Sequence, residues 1–322
     1  MARAFGLVGD VGGTHARFAI AETDGKRTRI RQAAVLNAAD YPTGEAALEA
    51  YLKRLKGRRP QAAVIAAAGP IQKGKVAFTN NDGWGFSERR MAKKCGFAEV
   101  RLINDFTAQA LAIDRLGPRD TRRIGPDVKG RRQATAAIMG PGTGFGAAAL
   151  VRDGRTQAVL TGEGGHAAFA PEDETEIEIL RRLTARFGEV SVERVVSGPG
   201  LYNLYQTLAG MTGRPASLAA PDQVTHAGLA GPGLARDALS RFCAILGSVA
   251  GNLALAMGAQ GGVYISGGIA PDIFDFLKAS DFRRRFESKD RMSDYLRAIP
   301  TRVVMQPHAA LIGAAALLGD LK

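Results

Sequence analysis

A strand, a glycine-rich turn and a second strand occur twice in this chain, and that repetition constrains the fold more than any other feature. The first copy reads Leu7-Val8-Gly9-Asp10-Val11-Gly12-Gly13-Thr14, followed by the strand pattern of residues 16–20. The second has a strand over residues 134–139, the run Gly140-Pro141-Gly142-Thr143-Gly144, and another strand over 146–151. Two apolar runs joined by so short a glycine-rich link form a hairpin. Gly9 and Gly140 take matching places in the two copies, which points to a duplicated architecture.

The intervening segments are mixed. Residues 45–56 have helical spacing, with Ala47, Leu48, Tyr51, Leu52 and Leu55 on one face. Residues 62–68 form a continuous apolar run, as in a strand covered on both faces. Arg101-Leu102-Ile103 is a further strand that passes through Asn104-Asp105 into a helix bearing Phe106, Ala110, Leu111 and Ile113. Helices are expected over 174–187, 200–209 and 236–257, a strand over 262–266 running into Gly267-Gly268, and a closing helix over 309–318. Strands alternating with helices in two similarly begun halves predict an α/β protein of two lobes with a cleft between them, and 322 residues suffice for both. The Gly-, Pro- and Arg-rich stretch 116–133 is the natural boundary.

Charge and cysteine content narrow the function. Lys and Arg number 43 against 31 Asp and Glu, a net charge of +12. Such a surplus suits nucleic acid, but the Arg clusters lack the interleaved aromatics of a base-stacking platform, and no nucleic-acid motif accompanies them. They read as solvated faces of a small-molecule enzyme. Two cysteines, Cys95 and Cys243, exclude a disulfide scaffold and a Cys-rich zinc module, and fit a reducing cytosol. The charge-free stretch 242–271 is interrupted by Ser248, Asn252, Gln260 and Ser266 and by glycines, so it reads as a buried helix and strand rather than a membrane span.

Several groups could carry chemistry. Glycines in the two turns let backbone N–H groups approach phosphate oxygens, and Thr14 and Thr143 add hydroxyls. Neither turn is a P-loop, since no Lys-Ser or Lys-Thr follows and a strand comes next. Asp10 reads either as a turn-stabilising side chain or as an outer-sphere holder of the Mg²⁺ that accompanies a nucleotide. Asp105 reads either as the N-cap of a helix beginning at Phe106 or as a base accepting a substrate hydroxyl proton, with Asn104 fixing the substrate. In Glu163-Gly164-Gly165-His166 a carboxylate and an imidazole flank two glycines, which suits a polyol whose hydroxyls both donate and accept. No second His or Cys stands at metal-ligand spacing there. Glu193 alone would pass for a surface ion-pair partner. No Gly-x-Ser-x-Gly or His-Glu-x-x-His occurs, which excludes the corresponding hydrolases.

Taken in order, these motifs resemble the bacterial glucokinase family of proteobacterial type. Leu7-Val8-Gly9-Asp10-Val11-Gly12-Gly13-Thr14 resembles its first phosphate loop, and Ile103-Asn104-Asp105-Phe106-Thr107-Ala108 its sugar and catalytic-base segment. Gly140-Pro141-Gly142-Thr143-Gly144 resembles the second phosphate loop. Gly162-Glu163-Gly164-Gly165-His166 and the run from Glu193 through Ser197-Gly198-Pro199-Gly200-Leu201 resemble the sugar segments, and Ser266-Gly267-Gly268-Ile269 the late nucleotide turn.

The resemblance implies the actin-like ATPase fold of sugar kinases, Hsp70 and actin. The smaller α/β lobe would comprise residues 1–113 with 303–322, and the larger residues 114–302. It implies ATP-dependent phosphorylation of glucose to glucose 6-phosphate at the start of glycolysis, by a cytoplasmic, Mg²⁺-requiring homodimer with no nucleic-acid or membrane partner. Asp105 takes the general-base position, and Asn104, Glu163, His166 and Glu193 the sugar-hydroxyl positions. The nucleotide would meet Gly9, Asp10, Val11, Gly12, Gly13, Thr14, Gly142, Thr143, Gly144, Gly267 and Gly268, with Asp10 reaching the metal through water. A kinase for another hexose, a sugar-sensing DNA-binding regulator and an actin-like ATPase are the competing readings.

Overall fold

The computed structural model describes residues 3–24, 27–77, 84–154 and 156–321. Thirteen strands are formed among the described residues. In chain order they are β1 (Ala4–Val11), β2 (His15–Thr23), β3 (Thr28–Asn37), β4 (Ala62–Ala67), β5 (Lys75–Ala77), β6 (Gly85–Ser87) and β7 (Glu99–Asn104). There follow β8 (Thr121–Ile124), β9 (Ala136–Pro141), β10 (Phe145–Asp153), β11 (Thr156–Gly162), β12 (Gly262–Ile265) and β13 (Thr301–Val304).

The chain divides into two compact units, one of Met1–Gly117 with Gln306–Lys322 and the other of Pro118–Met305. In the first, the sheet order is β3-β2-β1-β4-β7, and β5 pairs with β6. β1, β2 and β3 are antiparallel neighbours, whereas β4 and β7 continue from β1 in parallel. The second unit repeats this plan as β11-β10-β9-β12-β13, with β8 added antiparallel beyond β13. Each unit is thus a mixed α/β sheet with the same strand plan.

Burial on both faces explains the uninterrupted apolar run of β4. Ala63, Ile65 and Ala67 face a core that includes Leu48, Tyr51, Phe86 and Met91, while Val64 and Ala66 face Ala108, Ala310, Leu311 and Ala314. The second core is larger and gathers around the helix Leu234–Met257, from which Phe242, Leu246 and Ala250 are fully buried. That helix is long and apolar enough to cross a membrane, yet 72% of its most apolar window is buried within the protein, as in a core helix.

The hairpin turns differ by one residue. In the first, Val11 pairs with Ala16 around residues 12–15; in the second, Pro141 pairs with Phe145 around 142–144. Counted from those last pairs, Gly140 matches Asp10 rather than Gly9. Both cysteines are free thiols, and burial pushes their titration up, to about 11 for Cys95 and about 12 for Cys243. For Cys95 the nearby Glu49 and Glu45 add to the effect.

Candidate active site

In the first unit, strand register brings the candidates to one sheet edge. Val11 is opposite Ala67, and Ala67 opposite Asn104, all at the carboxyl ends of parallel strands. With neighbouring strands about 4.8 Å apart, the backbones at Val11 and Asn104 lie about 10 Å apart. Ligands of open α/β sheets collect outside such strand ends.

Asn104, not Asp105, caps the helix Asp105–Ala112. Its backbone is extended, and its Oδ1 accepts the N–H of Phe106 at 2.9 Å and of Thr107 at 3.2 Å. Asp105 is already helical, and its Oδ1 accepts the Phe106 N–H as well, at 2.9 Å. Asn104 is thus the N-cap, and Asp105 shares one of its two amides. Both side chains are partly exposed at the sheet edge.

The first turn is closed by a bond from Gly12 N–H to the His15 carbonyl at 3.0 Å, and the second by Gly142 N–H to the Gly144 carbonyl at 2.8 Å. Those two amides are spent. The N–H groups of Gly13, Thr14, Thr143 and Gly144 have no acceptor among the described residues, so they are the ones open to phosphate oxygens. Gly9 and Val11 lie buried inside β1 and serve to place the turn. Asp10, partly buried, pairs with Arg17 at 3.2 Å. Burial pushes its carboxyl above the usual carboxylate range, against the opposing pull of Arg17.

The second unit assembles its candidates around the β9–β10 hairpin. The turn Ser266-Gly267-Gly268 leaves β12 and lies against Gly140 and Pro141, where a Cβ on Gly267 would come within 2.3 Å of the Pro141 carbonyl oxygen. Gly267 also has φ of +87°, so only glycine fits there comfortably. Glu163 caps and His166 ends a single turn of helix, Gly164–His166, and both are exposed with no side-chain partner among the described residues. Val192 N–H donates to the Ala167 carbonyl at 2.8 Å, which holds this turn beside the one that carries Glu193. Glu193 in turn accepts the Phe145 N–H through Oε2 at 2.8 Å.

Glu163, His166 and Glu193 are thus gathered with residues 142–144 and 266–268 in one unit, and Asn104 and Asp105 with Asp10 and residues 12–14 in the other. The second unit thus presents open amides, carboxylates and an imidazole, and the first presents open amides and a carboxylate at a strand-to-helix junction.

The family model described as Glucokinase matches residues 7–321 of this chain. The chain belongs to the glucokinase family. It is 53% identical over 310 residues to the glucokinase of Caulobacter sp. strain K31, covering 96% of this chain and 94% of that one. The glucokinase of Chromobacterium violaceum is 45% identical, with 98% of this chain and 89% of the relative covered. Among solved structures, a glucokinase from an Antarctic psychrotroph has a TM-score of 0.87 at 37% identity, with 99% of each chain covered. A ROK family glucokinase from Streptomyces griseus, solved with glucose and AMPPNP, has a TM-score of 0.69 at 18% identity, covering 98% of this chain and 100% of the other, which is a likeness of fold.

Ser197, named above only as part of a sugar segment, has a structural task that the sequence analysis did not assign. It is buried, caps the helix Gly198–Thr212 by accepting the Gly200 N–H at 2.9 Å, and donates to the Glu193 carbonyl at 2.8 Å. A serine followed by Gly198-Pro199 is a recognisable helix start, with proline in the first turn.

Proposed function

We propose that this chain transfers the γ-phosphoryl group of ATP to the 6-hydroxyl of glucose, with Asp105 as general base, in the first step of glycolysis. The observation that carries this reading is the place of Asn104 and Asp105, beside the glycine turn of β1 at one sheet edge, in a chain of the glucokinase family. The glucose and AMPPNP of the Streptomyces griseus structure support the choice of acceptor and donor.

Asn104 Nδ2, Glu163, His166 and Glu193 would bind the sugar hydroxyls, and Asp105 would align the reacting one. Oxygen 6 forms a bond to the γ-phosphorus, the bond from that phosphorus to the β–γ bridging oxygen breaks, and ADP leaves. The hydroxyl is a poor acid and the transition state is loose, so Asp105 takes its proton late. Turn amides and the Gly267-Gly268 backbone offset charge on the phosphate oxygens.

Among the described residues no three or more His, Cys, Asp or Glu gather as a metal cage. A lone carboxylate fits Mg²⁺ that keeps its waters and takes its other ligands from phosphates. Asp10 would hold that ion through water. When bound, Mg²⁺ neutralises charge on the β- and γ-phosphates.

The same reading takes the fold as the actin-like ATPase type, with the Met1–Gly117 and Gln306–Lys322 unit as the smaller lobe. It takes the enzyme as a cytoplasmic homodimer that acts on neither nucleic acid nor membranes. A coupled ADP assay across a panel of hexoses tests it. Glucose should be the fastest acceptor. ATP turnover indifferent to glucose would favour an ATPase without a sugar, and preference for another hexose would reassign the acceptor.

A further inference from the structure

The segment from Glu193 to Gly198 grips both ends of the 142–144 turn. At one end, Gly198 N–H donates to the Gly142 carbonyl at 2.8 Å. At the other, Glu193 Oε2 accepts the Phe145 N–H at 2.8 Å. Ser197 locks the grip from within by its bond to the Glu193 carbonyl. Phe145 is buried, so Oε2 satisfies an amide that water does not reach freely. Oε1 has no partner among the described residues, and the side chain is only partly buried. One carboxylate therefore faces two ways.

We propose that Glu193 is a positioning residue for the second phosphate loop as well as a sugar ligand, so that the loop and the sugar site are coupled through its two oxygens. The proposal rests on the functional reading above. A sugar hydroxyl donating to Oε1 fixes the carboxylate, and a fixed carboxylate fixes Phe145 N–H and the turn before it. Thermodynamic linkage makes the effect mutual: a phosphate that orders the turn presents Oε1 to the sugar. Gly144 is the built-in probe of this link. A Cβ there would lie 2.5 Å from Glu193 Oε2, so alanine must push the carboxylate aside, and the Gly144 backbone needs no positive φ.

Equilibrium binding to the whole protein tests the coupling, with glucose titrated without nucleotide and AMPPNP with Mg²⁺ titrated without sugar. Gly144→Ala should weaken glucose binding about tenfold although the position belongs to the phosphate loop, the effect of a lost charge-assisted hydrogen bond. Glu193→Ala should weaken AMPPNP binding by a similar factor in the absence of any sugar. Glu193→Gln, whose amide oxygen still accepts from Phe145, should restore AMPPNP binding while glucose stays weak. Wild-type glucose affinity in Gly144→Ala, or AMPPNP binding no better in Glu193→Gln than in Glu193→Ala, would overturn the link. If Gly144→Ala does not fold, the two Glu193 variants decide. A wild-type protein that binds neither ligand overturns the functional reading and the link together.

Discussion

Asn104 Oδ1 accepts the Thr107 N–H at 3.2 Å, and this bond separates the work of two adjacent residues. Asn104 is the N-cap and alone holds Thr107, whereas Asp105 shares only the Phe106 N–H and lies inside the helix. Asn104→Ala should cost about 1 kcal/mol of stability through the lost cap and also raise the KM for glucose. Asn104→Asp keeps the acceptor and should melt like the wild type, yet it loses the Nδ2 donors and should still raise KM. Thermal melting beside glucose kinetics checks this; an unchanged KM in Asn104→Asp would remove the amide from the sugar site.

Gly313 sets how closely the helix Ala309–Ala315 approaches the helix that Asp105 begins. A Cβ on Gly313 would lie 1.7 Å from the Ala108 carbonyl oxygen, within rigid, buried backbone. Gly313→Ala must part the two helices, and overpacking of this kind costs about 1–3 kcal/mol. Because Asp105 stands three residues before Ala108, the shift reaches the proposed base, and a misplacement of about 1 Å is enough to lower turnover about 10²-fold. A variant with wild-type melting and turnover would show that the contact does not position Asp105.

Much of the framework was legible because burial writes itself into sequence. Ala62–Ala67 is apolar throughout since both faces are covered, and Glu174–Phe187 shows clean helical periodicity with an Asp173 cap. β3 and β11 left no such mark: they are edge strands, largely exposed, and Thr28–Asn37 carries Arg29, Arg31 and Gln32 as freely as a loop would. β8 and β13, four residues each, are too short to show a period. Site motifs confined to a turn, such as Gly12-Gly13-Thr14 or Glu163-Gly164-Gly165-His166, could be read locally. The bond from Phe145 to Glu193 spans 48 positions and exists only once the hairpin has folded. Nor does composition reveal which turn amides close the turn and which stay open.

The same limit hid a buried ion-pair cluster in the second unit. Glu176, with a fully buried side chain, receives two 2.9 Å bonds from Arg285 and another from Arg241, while Glu172 meets Arg285 and Lys289. Arg285→Ala should cost about 3–5 kcal/mol, because a buried carboxylate loses its main partner, and adding Glu176→Gln should recover part of that. The cluster also sets an acid limit. Burial raises the Glu172 carboxyl, but bonds from Lys289 and Ser248 and the charge of Arg285 outweigh it and hold it below 4.5. Burial is likewise overcome at Asp173 by the Glu176 N–H and Arg241, which hold it below 3.8. Depressed carboxyls stabilise the fold fully above those ordinary values, and the contribution is lost as pH falls through the lower folded-state ones. Melting temperature should therefore fall below about pH 4.5 in the wild type, and less steeply in Arg285→Ala. Equal pH slopes in the two proteins would contradict the assignment.

The proposed chemistry turns on Asp105, and one comparison reaches it directly: glucose binding and glucose-dependent ADP formation measured side by side in Asp105→Ala. General-base catalysis contributes about 10²–10⁴-fold and alignment of the hydroxyl adds to it, so turnover should nearly vanish while glucose binding stays measurable. Turnover close to that of the wild type would contradict the account and return Asp105 to a role at the start of its own helix.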